Sequence, residues 1–398
     1  MTDAPRSDCA EAGLPGWLVL MALLIAIAPL SIDMYLPAFP AIEAELGRAA
    51  GARAVEAEFT LASFFIGISL GQLFYGPLSD RFGRKPPLYA GLVIYIAASF
   101  GCAVAGSLES LAAWRFLEAL GGCSGMVIAR AVIRDRCAAQ QAARAFSLLI
   151  LVMGVAPILA PLLGGWVNAA LGWRALFGVL AGFGLICLLL VNRRMAETRD
   201  ARHVQPLSLR RSLADYGGLL RDRAFLGHTL AASFASAGMF AYIAGSPHVQ
   251  IEIYGIPPEH FGWVFGLNAL GFIAASQVNA RLLRHTPLTT LLRRSLRVTV
   301  AVALVLAALA LHGGPPMLPL LAMLFVFMAS LGMVNPNANA AAMAGHGHIA
   351  GTASALMGTL QFGGAALTGT SLGLLGDDGV AALAGVMAAC GIAAWGIH

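Results

Sequence analysis

Apolar runs long enough to cross a membrane recur along the chain, separated by short polar segments. The first run extends from Trp17 to about Ala41, and a mixed-charge segment with Glu43, Glu45, Arg48, Arg53, Glu56 and Glu58 follows it. The second, TLASFFIGISLGQLFYG, stops at a knot of charge, and the third covers about Leu88 to Ala105. A fourth begins near Leu108 and leads into Arg130, Arg134, Asp135, Arg136 and Arg144; a fifth covers about Phe146 to Val167 and a sixth about Leu171 to Val191. The longest polar stretch, Asn192 to Arg223, then intervenes and holds eight arginines. Beyond it lie runs at about Phe225 to Val249, Phe261 to Leu282, Ser295 to Leu311, Leu318 to Asn339, Ile349 to Leu375 and Val380 to Ile397. A helix needs roughly 20 apolar residues to cross the hydrocarbon core. The pattern therefore predicts an all-α polytopic membrane protein with about twelve transmembrane helices in two six-helix bundles. Residues 1–191 form the N-terminal bundle, 192–223 a linker and 224–398 the C-terminal bundle.

Composition agrees with this reading and narrows it. The chain is 59% hydrophobic and only 11% charged, with a mean hydropathy of +0.78, whereas soluble domains are about one-quarter charged. No separate soluble domain fits beside the spans. The net charge of +5 does not mark a nucleic-acid binder, because the basic residues are spread over alternate loops rather than gathered on one surface. Counting loops alternately places Arg81, Arg84, Lys85, the cluster after the fourth span, the long linker and the Arg281 to Arg297 loop on one side. Basic loops stay in the cytoplasm, so both termini are expected there. The cysteines are scattered and read as small core residues rather than a disulfide framework or metal site.

Candidate chemistry lies where charge interrupts apolar sequence. Gly76, Asp80, Arg81, Gly83, Arg84 and Lys85 sit in the short segment after the second span, and a plain basic loop would need neither Asp80 nor Gly83. Ionisable residues within spans are functional candidates by default, and here they are Asp33, Arg115 and Glu118. Asp33 and Arg115 each lie about eight residues in from the same face, roughly 12 Å deep at 1.5 Å per residue, so they are expected to meet. A fixed ion pair would only lock helices together. A carboxylate that gains and loses a proton would drive transport, with desolvation and Arg115 pulling its proton affinity in opposite directions. Gly154, Pro157, Pro161, Gly164 and Gly165 in GVAPILAPLLGGW predict a bent, tightly packed fifth span. Tyr35, Phe240, Tyr242, Asn268, Asn335, Asn337 and Gln361 are candidates for a central substrate cavity. Two serine motifs, Gly122-Cys123-Ser124-Gly125 and Gly67-Ile68-Ser69-Leu70-Gly71, are discounted as nucleophile sites because they lack the strand-turn-helix setting or a facing histidine. His346 and His348 read as solvated loop residues.

Gly76-Pro77-Leu78-Ser79-Asp80-Arg81-Phe82-Gly83-Arg84-Lys85 resembles the signature between helices two and three of the major facilitator superfamily. Ala160-Pro161-Leu162-Leu163-Gly164-Gly165 is similar to the helix-five motif of that superfamily's exporters. Together with PLSIDMYLPAFP, Arg115 with Gly121 and Gly122, AGMFAYIAGSPHVQIEIYGIPPEHFGWVFGLN and AGTASALMG, the likeness is to the bicyclomycin-resistance (Bcr/CflA) family of drug:proton antiporters. The resemblance implies alternating access and export of drugs from a bacterial inner membrane, powered by the proton gradient and without a cofactor or metal. It places Asp33 on the family's acidic position in helix one, Arg115 on its helix-four arginine, and Asp80 to Lys85 on a cytoplasmic gate in which Asp80 pairs with Arg134. Glu118 departs from the neutral residue usual in the superfamily. The partners implied are a small-molecule drug, protons and the bilayer, the protein acting as a monomer and not as an enzyme. Alternatives are an exporter or proton symporter of a metabolite such as an amino acid, and a membrane sensor that transports nothing.

Overall fold

A computed structural model describes residues 16–46, 57–137, 139–198, 209–346, 349–375 and 379–398. These residues are helical almost throughout. α1 (Gly16–Asp33) ends where Pro37 can give no N–H to the Asp33 carbonyl four residues back; a turn, a short 3-10 segment (Leu36–Ala38) and α2 (Phe39–Leu46) complete the first crossing. α3 (Ala57–Phe82), α4 (Lys85–Ala103), α5 (Leu108–Arg136), α6 (Ala139–Leu171) and α7 (Trp173–Arg194) follow. α5 starts at a reciprocal capping box in which Ser107 and Ser110 each accept the other's backbone N–H. The expected polar linker contains a helix of its own, α8 (Leu209–Arg221), whose apolar side packs Leu219 against Phe225, Leu356 and Met357. Asp222 then caps α9 (Arg223–Pro247) through the N–H groups of Ala224 and Phe225. Past Pro247 the helix widens into a π-helical turn (His248–Ile253). α10 (Pro258–Leu282), α11 (Leu288–Leu311), α12 (Met317–Met343), α13 (Ala350–Leu375) and α14 (Gly379–Ile397) complete the chain.

Among the described residues, eleven helical segments are long and apolar enough to cross a membrane. α13 occupies the remaining place in the twelve-helix order at 26 residues, but Thr352, Ser354, Thr359, Gln361, Thr368 and several glycines dilute its apolarity. Apolar side chains such as Phe74, Phe100, Trp166, Trp263 and Leu270 are exposed on the outside of the bundle, as lipid-facing positions require. Cys102, Cys123, Cys187 and Cys390 are buried free thiols. Cys137, contrary to the expectation from spacing, is disulfide-bonded.

Contacts sort the long helices into two sets. α1, α3, α4, α5, α6 and α7 pack with one another, as do α9 to α14, and the two sets meet along α3 with α13 and α6 with α10. These seams need glycine on at least one side. A Cβ on Gly369 would approach that of Ala62 to 3.2 Å, one on Gly373 would meet the Phe59 ring, and one on Gly262 would press on Leu162. The seams therefore run from the face carrying the α3 N-terminus to just past mid-helix, where Ser69 donates to the Thr359 carbonyl. The turn between α3 and α4, which carries Arg81, Arg84 and Lys85, lies on the other face, called here the basic face.

Candidate functional site

Arg115 is wholly buried inside the first set of helices. Its Nη1 donates to Glu118 Oε2 at 2.6 Å and its Nη2 to the Ser31 carbonyl at 3.0 Å. The Ser99 hydroxyl donates to the other Glu118 oxygen at 2.8 Å. The guanidinium lies over the Phe64 ring at 4.1 Å and the Tyr35 ring at 4.6 Å. Both side chains of the pair are 0% exposed, so this is a closed ion pair that ties α1, α3, α4 and α5 together. Tyr35 belongs to the same core: it donates to Thr60 at 2.6 Å and packs edge-on against Phe39.

Asp33 does not join that pair. It lies two residues beyond Ser31, whose hydroxyl bonds Tyr95 of α4 at 2.9 Å, and so leaves α1 roughly 200° further round a helix of 3.6 residues per turn, away from α4. It is 3% exposed and makes no hydrogen bond or salt bridge to a described residue. Around it, α6 comes so close that a Cβ on Gly164 would fall on the Met34 carbonyl, and the neighbouring Gly165 rests on Pro258 at the start of α10. Gly154 faces Ile273 of the same helix, and Pro157 and Pro161 lie within an unbroken α6. Tyr242 of α9 is within electrostatic reach of Asp33. The sole acid free of partners among these intramembrane candidates thus lies where the two sets of helices meet.

The remaining cavity candidates separate. Tyr242 accepts a hydrogen bond from Asn268 at 2.6 Å and stacks on Phe265. Phe240 meets Phe65 of α3 at 4.8 Å and Phe362 of α13 at 5.2 Å, so three rings bridge the two sets. Asn337 and Asn279 exchange amide hydrogen bonds at 2.8 and 3.1 Å. Gln361 donates to Asn339 at 2.9 Å, while the Asn335 carbonyl oxygen is buried without a partner among the described residues.

On the basic face, Arg84 is the hub. Although part of an arginine-rich turn, it is buried, because its guanidinium is met from three sides: Asp80 at 2.8 Å, Asp135 of α5 at 2.8 Å and the Ser79 hydroxyl at 2.8 Å. Burial works against its charge, but the bonds to Asp135 and the nearness of Asp80 outweigh this and push its pKa above the ordinary value. Glu197, just after α7, accepts the N–H groups of Arg84 and Lys85 at 2.9 and 3.0 Å and so caps the start of α4. Gly83 makes this possible: its φ is +87°, and any Cβ there would collide with the Glu197 carboxylate. Arg81 stacks on Phe82, and Gly76 has open space beside it. The described partner of Asp80 is therefore Arg84; the side chain of Arg134, expected in that role, lies outside the described residues. Sequence reasoning missed Asp135 and Glu197 as parts of this hub. Asp135 is hidden within a basic cluster, and nothing local marks Glu197, which is 113 residues from Arg84.

Of the discounted motifs, Ser124 has no partner for its hydroxyl among the described residues. His346 is held by Asp222 at 3.1 Å, and His348 lies outside the described residues.

Two packed sets of long apolar helices, a charged turn on one face and an acid at the seam define a polytopic membrane protein of the solute-transporter class. Residues 21–369 match the Major Facilitator Superfamily, and the chain belongs to that superfamily, in its bicyclomycin-resistance branch. It is 35% identical to an uncharacterized MFS-type transporter, YdgK, of Bacillus subtilis, over 86% of this chain and 84% of that one. It is 31% identical to a bicyclomycin resistance protein homolog of Haemophilus influenzae, over 94% and 93%. Its fold is similar to the crystal structure of a D-xylose–proton symporter, with a TM-score of 0.73 at 12% identity, over 95% of this chain and 97% of that chain.

Proposed function

We propose that the protein is a proton-coupled exporter of drugs or similar amphiphilic small molecules, working by alternating access in a bacterial inner membrane. The observation that carries this reading is Asp33: a buried acid with no described partner, at the seam between two helix sets that must move against each other. A carboxylate so placed can bind a proton in one arrangement and release it in the other. The likeness to a bicyclomycin resistance protein supports a drug as cargo. The basic face is the cytoplasmic one by the distribution of arginine and lysine, both termini are on it, and the halves 1–191 and 224–398 move about the linker 192–223. The hub of Asp80, Arg84 and Asp135 belongs to the cytoplasmic gate. The three-ring cluster of Phe65, Phe240 and Phe362 gives an aromatic surface to cargo between the halves.

The test is bicyclomycin uptake into inverted vesicles with an imposed pH gradient. Wild-type vesicles accumulate the drug when their interior is acid, and Asp33→Asn vesicles bind it without accumulating it. Accumulation by Asp33→Asn vesicles equal to that of wild type overturns the assignment of Asp33.

A further inference from the structure

The π-helical turn after α9 holds a side chain that packing does not explain. Gln250 is 0% exposed, and neither its amide nitrogen nor its amide oxygen reaches hydrogen-bond geometry with a described group. Buried amides are satisfied in the great majority of proteins, and π turns gather at functional positions. The amide of Gln250 lies close to the Tyr242 phenol, which is within electrostatic reach of Asp33. The phenol oxygen already accepts from Asn268, so its proton is left to donate, and Ser246, whose own hydroxyl donates to the Ile243 carbonyl, and Gln250 stand beside it as acceptors. A phenol with a proton to give, an amide with an unmet donor and an unmet acceptor, and an acid without partners therefore converge at the seam. An acid that alternates between accepting and donating hydrogen bonds needs both kinds of neighbour.

We propose that Asp33 from one half and Tyr242 with Gln250 from the other form a single proton-handling site, in which Tyr242 and Gln250 are positioning residues. The inference rests on the proton-carrying role of Asp33 given above. Other ionisable groups lie around it without entering it. Arg115 and Glu118 of α5 pair on the far side of α1, where Tyr95 of α4 bonds Ser31. The His248–Glu252 pair belongs to the π turn itself, on either side of Gln250, and groups with Glu43 of α2 and Glu58 of α3. Glu45 holds Arg174 at the start of α7, and α10 adds Glu259 and His260 at its own start. The stretch of α6 from Met153 to Gly165 carries no charge. Because the two parts belong to different halves, relative movement of the halves changes what Asp33 can bond to. That is the link a coupled transporter needs.

Infrared titration of the purified protein in lipid tests this, with the protonated Asp33 carbonyl band assigned by its loss in Asp33→Asn. Tyr242→Phe and the near-isosteric Gln250→Met should each displace the titration midpoint by about one pH unit, a tenfold change in proton affinity. Gln250→Leu provides a second amide-free variant should Gln250→Met not be recovered. Midpoints unmoved in Tyr242→Phe and the Gln250 variant overturn the shared site. A wild-type protein in which no Asp33 band titrates overturns the proton-carrying role beneath it instead.

Discussion

Arg115 and Glu118 illustrate how a conspicuous pair of charges can be structural. Both are sealed from solvent and bond each other at 2.6 Å, although the Arg115 Nε has no partner among the described residues. Removing one partner of such a pair strands the other charge, which costs about 3–5 kcal/mol. Glu118→Gln should accordingly lower the thermal unfolding temperature of the detergent-solubilised protein by several degrees. Arg115→Met combined with Glu118→Leu should lose less than Glu118→Gln alone, because it removes both charges. An unchanged unfolding temperature in Glu118→Gln would show that the pair is not closed. Asp33 behaves differently, since it has no described partner to strand. Asp33→Asn should leave the unfolding temperature near that of wild type and show its effect in vesicle accumulation.

At the level of elements, the turn between α3 and α4 depends on a backbone shape as well as on charge. Gly83 occupies the left-handed region at +87°, which costs an L-residue roughly 1–2 kcal/mol, and an added methyl group would also displace Glu197 from the α4 N-terminus. Gly83→Ala should reduce efflux at matched expression, and Glu197→Ala should weaken the same turn by loss of a cap, a change of about 1 kcal/mol. Faster hydrogen exchange at the Arg84 and Lys85 amides in both variants is the expected signature. α6 makes the complementary case: Gly164→Leu drives a side chain into the Met34 backbone and should abolish efflux, whereas Cys187→Ala should keep it. Wild-type efflux from Gly164→Leu would count against close packing there. The helices were legible because apolar runs of crossing length leave a signal that needs no tertiary information. The first span was expected to run on to about Ala41, whereas its helix breaks after Asp33, and α8 was not legible, because its arginines masked a short amphipathic pattern inside a polar stretch. The charged residues of the sites were legible, and their pairings were not. Which way a side chain faces is set by packing, and Arg84 finds Asp135 and Glu197 across 51 and 113 residues of chain.

For the whole molecule, the seams between the two halves lie toward the face opposite the basic turns, and the alternating access proposed above requires that face to open. Cysteines at Ala62 and Gly369 would place their Cβ atoms about 3.2 Å apart, near the separation of roughly 3.5–4.5 Å that a disulfide spans. Oxidation of the Ala62→Cys, Gly369→Cys variant should stop efflux, and a reductant should restore it. Full efflux from demonstrably cross-linked protein would mean that this face need not part. The polarity of α13 has a bearing on synthesis as well. A membrane insertase admits a helix by its apolarity, scored residue by residue, and α13 carries Thr, Ser, Gln and Gly through its length. The helix that lines the seam against α3 should be the one least able to enter the bilayer unaided. Glycosylation mapping of nascent chains should find α13 poorly integrated when it is translated as a lone segment, and well integrated once α3 and α9 are present to receive it.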